Sequence, residues 1–159
     1  EKGISISQND SGISQRIRGT LLTWMSERNS HVFIVATSND ITQLPPEFVR
    51  KGRLDEIFFV DLPDEDTRSE IFRIHLSKRS QQVDQFDVAY LSSIADGFSG
   101  AEIEQAIVSS LYTVSALGQG LTQDQLEQTI RNTNPLSVVM HEKVEGLRHW
   151  AKDRCVFAD

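Results

Sequence analysis

Cysteine is almost missing from this sequence. Cys155 is the single thiol in 159 residues, which rules out a disulfide within the chain and fits a reducing compartment. No apolar run approaches the roughly 20 residues that cross a bilayer as a helix, so no membrane association is expected. The first residues lack the basic-then-apolar pattern of a secretory signal. Positive charge is not in excess: 16 Lys and Arg stand against 23 Asp and Glu, a net charge of −7. Residues 1–62 carry eight acids and seven bases, and residues 63–159 carry fifteen and nine, so the two stretches hold −1 and −6. Backbone binding to nucleic acid needs clustered Lys and Arg, so the acidic second stretch argues against that partner. A solvated acidic surface accounts for it. Several catalytic signatures are missing too. There is no G-x-S-x-G nucleophile elbow and no G-x-G-x-x-G. His141-Glu142 lacks the second histidine of a zinc-protease helix. One cysteine and four scattered histidines give no metal-ligand spacing, and no metal site is expected.

What is present has the balance of an ordinary globular chain, 38% hydrophobic and 25% charged, long enough for one domain or a small domain plus part of another. Ile13, Ile17, Leu21 and Trp24/Met25 recur every three to four residues, one face of a helix capped by Asp10 or Ser11 and ending near Glu27. Val32–Ala36 is continuous and rich in β-branched residues, which predicts a buried strand with a polar tip, Thr37 to Asp40. Pro45-Pro46 suits the first turn of a short helix holding Phe48, Val49 and Arg50 and stopping at Gly52. Ile57–Val60 predicts a second buried strand. Asp61-Leu62-Pro63-Asp64 breaks it, and the domain boundary is placed there, between residues 1–62 and 63–159.

Beyond the boundary the period changes and no strand is expected. Five helices are predicted: 64–79 with Ile71, Ile74 and His75 near one face; about 87–95; one from Ser99 to Gly118; one capped by Thr122 through Ile130; and about 136–152 after Pro135. The third starts with a capping box, Ser99 and Glu102, and a hydrophobic staple, Phe98 and Ile103.

Three groups are candidates for chemistry. Asn39 at the strand tip either polarises a water or senses a phosphate, or simply forms a turn by bonding its own backbone. Arg50 and Arg53 either complement a helix carboxyl end or act as an arginine finger on a transferring phosphoryl group, worth ~10³–10⁵ in rate. Arginine suits that task because its fork is planar, permanently charged and bidentate towards phosphate oxygens. His75 is either a packed histidine or a ligand contact. Gly97 and Gly100 are accounted for as helix punctuation.

Taken together, residues 31–63 resemble the second region of homology of AAA-type ATPases. The strand ending in Asn39 resembles the first sensor. Val49-Arg50-Lys51-Gly52-Arg53-Leu54-Asp55 resembles the paired arginine-finger motif. Gly97-Phe98-Ser99-Gly100-Ala101-Glu102-Ile103 resembles the second sensor region of the lid, with Ala101 where some branches carry an arginine. Ile71 and His75 fall on the lid's Ile-x-x-x-His element. The resemblance covers residues 1 to about 115. The whole chain is also similar to the carboxyl half of an AAA protein of cyanobacteria and algal plastids.

The resemblance implies an α/β fold: an incomplete doubly wound parallel sheet followed by an all-helical lid. It implies that Asn39 orients the attacking water, that Arg50 and Arg53 act on ATP held by the next subunit, and that Ile71, His75, Gly100 and Ala101 line adenine and ribose. It implies ATP and Mg²⁺ as cofactors, neighbouring AAA subunits in a homo-oligomer, a protein substrate, and the cytoplasm or plastid stroma. The sequence departs from the family in having no G-x-x-x-x-G-K-[ST] and no apolar run ending in Asp-Glu. Glu1-Lys2-Gly3 corresponds to the residues just past that acidic pair, so the chain is expected to begin there. It is expected neither to bind ATP tightly nor to hydrolyse it alone, and a non-catalytic truncated module acting in association or regulation is the alternative. In the family the strand leading to the phosphate loop lies between the two strands read here. The two are therefore expected to pair with each other, with another chain, or with the missing half.

Overall fold

The structure, a computed structural model, describes residues 8–27, 32–50, 52–116 and 118–158. Its contacts divide the chain into two units, one of residues up to Phe59 with Ala151–Val156, the other Val60–Trp150 with the residues from Phe157 on.

In the first unit α1 spans Gln8–Glu27, so it starts ahead of the caps expected at Asp10 or Ser11. Of the described residues of its expected apolar face, Met25 is buried, while Ile17, Leu21 and Trp24 are exposed. The side chain of Ile13 lies outside the described residues. Val32–Ala36 does not form the expected buried strand. It belongs to no ladder, and Phe33 is 92% and Val35 76% exposed. Composition favours a strand, but a strand also needs a neighbour in register along its backbone, which composition does not encode. After the polar tip a 3₁₀ turn, Ile41–Gln43, is capped by the Asp40 carboxylate, which accepts from Thr42 N. The short helix expected after Pro45-Pro46 is a hydrogen-bonded turn instead, with Phe48 N donating to Pro45 O at 3.0 Å. A second turn closes from Arg53 N to Arg50 O at 3.3 Å. It carries Gly52 at φ +91, a conformation that glycine adopts without a Cβ clash.

The second expected strand survives as two residues, β1, Phe58–Phe59. It is not buried, since Phe58 is 62% exposed. Its partner is a strand the sequence did not predict, β2, Val156–Phe157. Val156 N donates to Ile57 O at 2.9 Å. The two runs read as strands are therefore not paired with one another.

The second unit is helical, as expected. Asp64 caps α2, Glu65–Lys78, by accepting from Thr67 N. A 3₁₀ turn at Val83–Gln85 lies in the link to α3, Val88–Ile94, which Asp87 caps. The remaining helices are α4, Gly100–Ala116; α5, Gln123–Arg131; α6, Leu136–Val139; and α7, His141–Ala151. The helix expected over 136–152 is thus two helices, broken at Met140, whose φ −118 and ψ 35 leave the helical region. Phe72 and Leu76 of α2, Leu91 of α3, Ile103, Ile107 and Val114 of α4, and Leu126 and Ile130 of α5 form one core. The buried stripe of α2 is therefore Phe72 and Leu76. Ile74, expected on that face, is exposed, and Ile71 and His75 sit at its margin.

Polar ties hold the loops of this unit. Arg68 is buried on α2, and donates to Ser92 O at 3.0 Å and Pro63 O at 2.8 Å. The Arg148 guanidinium on α7 grips Asp61 with Nε at 2.8 Å and NH2 at 2.9 Å, a bidentate pair spanning most of the chain. Asp61 and, on the same helix, Glu145 hold that guanidinium protonated well beyond its ordinary range.

Candidate functional site

α2 and α4 bring the predicted lid residues together. Ile71, His75 and Arg79 follow one another at helical spacing along α2 and its carboxyl cap. Gly100 and Glu104 do the same on α4. The two rows meet. A Cβ on Gly100 would stand 3.4 Å from Ile71 Cδ1, so the first turn of α4 lies within van der Waals reach of Ile71 on α2. One turn further, His75 Nδ1 lies 3.4 Å from Glu104 Oε1. Arg79 closes the row: its NH2 donates to Glu104 Oε1 at 2.7 Å, and its NH1 lies 3.2 Å from His75 Nδ1. That hydrogen bond from Arg79 lowers the Glu104 carboxyl from its ordinary value; partial desolvation opposes it, and the positive charges of Arg79 and Lys78 assist it. Ala101 is exposed beside this row.

The start of α4 is fixed by its neighbours. Ser99 N and Oγ donate to Glu102 Oε2 at 2.9 and 2.7 Å, and Glu102 N donates back to Ser99 Oγ at 3.4 Å, the reciprocal capping box the sequence predicts. Phe98 and Ile103, the staple pair, are both buried in the core. Glu102 Oε1 also accepts from Leu136 N at 2.7 Å, and Ser137 Oγ donates to Gly97 O at 2.6 Å. α6 is thereby stitched across the turn that precedes Gly100.

In the first unit the candidates separate. Asn39 is exposed at a bend, and the capping there belongs to Asp40 rather than to Asn39. Arg53 is half-buried and engaged: Nε donates to Ser26 Oγ at 3.2 Å and NH1 to Glu47 O at 2.6 Å. Arg50 is exposed.

The comparisons with known proteins bear on both units. Residues 2–62 match the model of the ATPase family associated with various cellular activities, AAA. The uncharacterised AAA domain-containing protein ycf46 of Pyropia yezoensis is 47% identical over 148 residues, covering 92% of this chain and 30% of that protein. The ycf46 protein of Guillardia theta is 41% identical over 144 residues, 90% of this chain and 28% of its own length.

The chain belongs to the AAA family.

The proteasome-activating nucleotidase of Saccharolobus solfataricus is a more distant relative, 33% identical over 140 residues, 84% of this chain and 34% of that protein. The chain thus spans about a third or less of the length of these curated relatives. The fold is the carboxyl-terminal portion of an AAA module followed by its helical lid.

An AAA fold implies a nucleotide, and the residues described fit one end of it. Ile71, Gly100 and Ala101 offer a small apolar surface, and the adjoining imidazole offers a hydrogen bond, which suits a planar base and its sugar. The arginine of this row is already taken by Glu104, so the row offers no open cation for a triphosphate. Among the described residues no group of three or more His, Cys, Asp or Glu is placed to hold a metal ion.

Sequence reasoning passed over Arg79 and Glu104. The signal was there: His75 and Arg79, and Gly100 and Glu104, are each four apart on a helix. What it lacked was the register of α2 on α4.

Proposed function

We propose that this chain supplies the sensing, arginine-bearing and lid parts of an AAA ATPase that couples ATP hydrolysis to the remodelling of a macromolecule. The observation that carries the reading is the α2–α4 row, where Ile71, His75, Gly100 and Ala101 present a face suited to adenine and ribose. In this reading Asn39 orients water near the terminal phosphate. Arg50, exposed on its turn, reaches ATP held by a neighbouring subunit of a homo-oligomer. Arg53 belongs to the same motif, but its hydrogen bonds to Ser26 and Glu47 suit it to holding that turn. Bound ATP with Mg²⁺ supplies the scissile phosphoanhydride. The chain's own share is to hold the base end, position water and bring positive charge to the transition state. A protein substrate is proposed from the likeness to the proteasome-activating nucleotidase, and the plastid stroma or cytoplasm as its place.

A second reading, a non-catalytic AAA module acting in association, is favoured by two observations. In the apolar run at 32–36, Val32, Phe33 and Val35 are exposed, and the acidic 63–159 stretch presents a charged surface for association.

Calorimetry tests the proposal. The chain alone is expected to bind ATP and adenosine with similarly weak affinity, because only the base end is held, and to show no turnover. Micromolar ATP affinity, or hydrolysis above background, would overturn it. In an assembly where a phosphate loop is supplied, Arg50→Ala is expected to lower turnover by ~10³ with little change in ATP binding, since a finger acts in the transition state. Unchanged turnover there would favour the second reading.

A further inference from the structure

The polar end of the α2–α4 row goes beyond what any resemblance assigns. His75 is largely covered, with its side chain 16% exposed. Two groups compete for its Nδ1, and they ask for opposite states of that atom. The Arg79 guanidinium has donors and no acceptor, so its NH1, 3.2 Å away, requires Nδ1 to accept. Glu104 Oε1, 3.4 Å away, would require Nδ1 to donate.

The distances decide in favour of Arg79. Its NH1 is held in place by a second bond, to His75 O at 3.1 Å, and NH2 is anchored on Glu104 Oε1 at 2.7 Å. Glu104 Oε1 therefore already receives a short charge-assisted hydrogen bond, while 3.4 Å is long for a bond from an imidazole. Arg79 follows the last turn of α2, where a cation is also favoured by the helix carboxyl end. A ring whose Nδ1 accepts must carry its proton on Nε2 if it is neutral. Among the described residues nothing is hydrogen-bonded to Nε2.

We propose that Arg79 and Glu104 are positioning residues that lock His75 in its Nε2–H tautomer, so that the lid offers a donor and selects a ligand edge presenting an acceptor, such as a purine ring nitrogen. The ligand class rests on the base-facing reading of this row; the tautomer does not. The reaction chemistry is untouched by either residue. Their effect is on which ligand edge the imidazole can read, because a donor left facing another donor costs a buried hydrogen bond.

Long-range ¹H–¹⁵N correlation of the imidazoles in the whole chain tests the lock without any ligand. The expected result is a His75 ring whose proton sits on Nε2. In Arg79→Met the proton is expected to move substantially to Nδ1, where Glu104 can accept it. Glu104→Gln should keep the Nε2–H form, because the amide oxygen still anchors Arg79. If Arg79→Met does not fold, Glu104→Met, which frees the guanidinium, is expected to mix the tautomers. A wild-type ring protonated on Nδ1, or a tautomer that none of these variants moves, would overturn the proposal. Adenosine at millimolar concentration is then expected to shift the His75 Nε2 resonance, and one of the 1-, 3- or 7-deaza analogues to lose that shift. Equal responses to adenosine and all three analogues would overturn the selection of a ring nitrogen. No response to adenosine, with the tautomer as stated, would instead overturn the base-facing reading and leave the lock standing.

Discussion

The two arginines of one motif differ in their surroundings, and that difference predicts different outcomes. Arg53 donates to Ser26 Oγ and Glu47 O, so Arg53→Ala is expected to destabilise the first unit by about 1 kcal/mol, the net worth of such bonds at a half-exposed site. Arg50 is exposed, and Arg50→Ala should leave the thermal midpoint where it was; differential scanning fluorimetry of both variants checks the contrast. Gly97 is constrained twice. Its φ of +77 disfavours any side chain, and a Cβ would meet Ser137 Oγ at 2.7 Å, the hydroxyl that donates to Gly97 O. Gly97→Ala is expected to cost about 2–3 kcal/mol, the sum of about 1–2 for the left-handed backbone and about 1 for the displaced hydrogen bond. Adding Ser137→Ala should relieve the clash and leave the backbone cost, which urea titration of the single and double variants would show. Glu102 gives a pH dependence. Burial pushes its carboxyl up, but hydrogen bonds from the Ser99 hydroxyl, the Ser99 amide and the Leu136 amide outweigh it, and the net shift is downward. A carboxylate with a lowered folded-state pKa stabilises above its unfolded value, and that contribution is lost as pH falls through the lowered one. The stability difference between the protein and Glu102→Gln is therefore expected to be full at neutral pH and to shrink below about pH 4.5, the ordinary carboxyl value. A gap that widens in acid would contradict this.

At the level of elements, the caps of α4 and α5 were legible, while that of α1 and the later breaks were not. Thr122 and Gln125 form the reciprocal box that starts α5, read from Thr122 with the apolar spacing behind it. Thr122→Ala is expected to cost about 1 kcal/mol, seen as a lower urea midpoint at unchanged slope. The break at Met140 has no proline or glycine to announce it. It lies where Leu136 and Ser137 are tied to Glu102 and Gly97: those bonds orient α6 independently of α7, and no local propensity encodes a bond made 34 or 40 residues away. β2 was missed for a similar reason. Two residues, Val156 and Phe157, carry no period, and only Ile57 makes them a strand.

Across the whole chain, local signals served the helical unit better than the first one. Helices satisfy their own backbone within one segment, so α2 through α5 follow from spacing and caps alone. Strands do not, and the first unit shows it. Val32–Ala36 has the composition of a buried strand, yet all of it but Ile34 is exposed, and it lies outside the only ladder among the described residues. Truncation after Arg154 would remove β2, and hydrogen exchange is expected to quicken at 57–59 while α2–α5 keep their protection. Loss of protection throughout the lid would show that β2 supports more than β1.

The amino-acid sequence by itself determined the helical lid, the capping box and staple of α4, the family, and the residue types proposed for a nucleotide. Tertiary structure alone decided that Ile71 meets Gly100, that Arg79 and Glu104 converge on His75, that Arg53 is bonded within its own unit, and that the carboxyl-terminal strand pairs with β1. The division has one physical cause. Propensity and capping act over three or four residues, while register between elements and the pairing of strand edges depend on groups far apart in the chain.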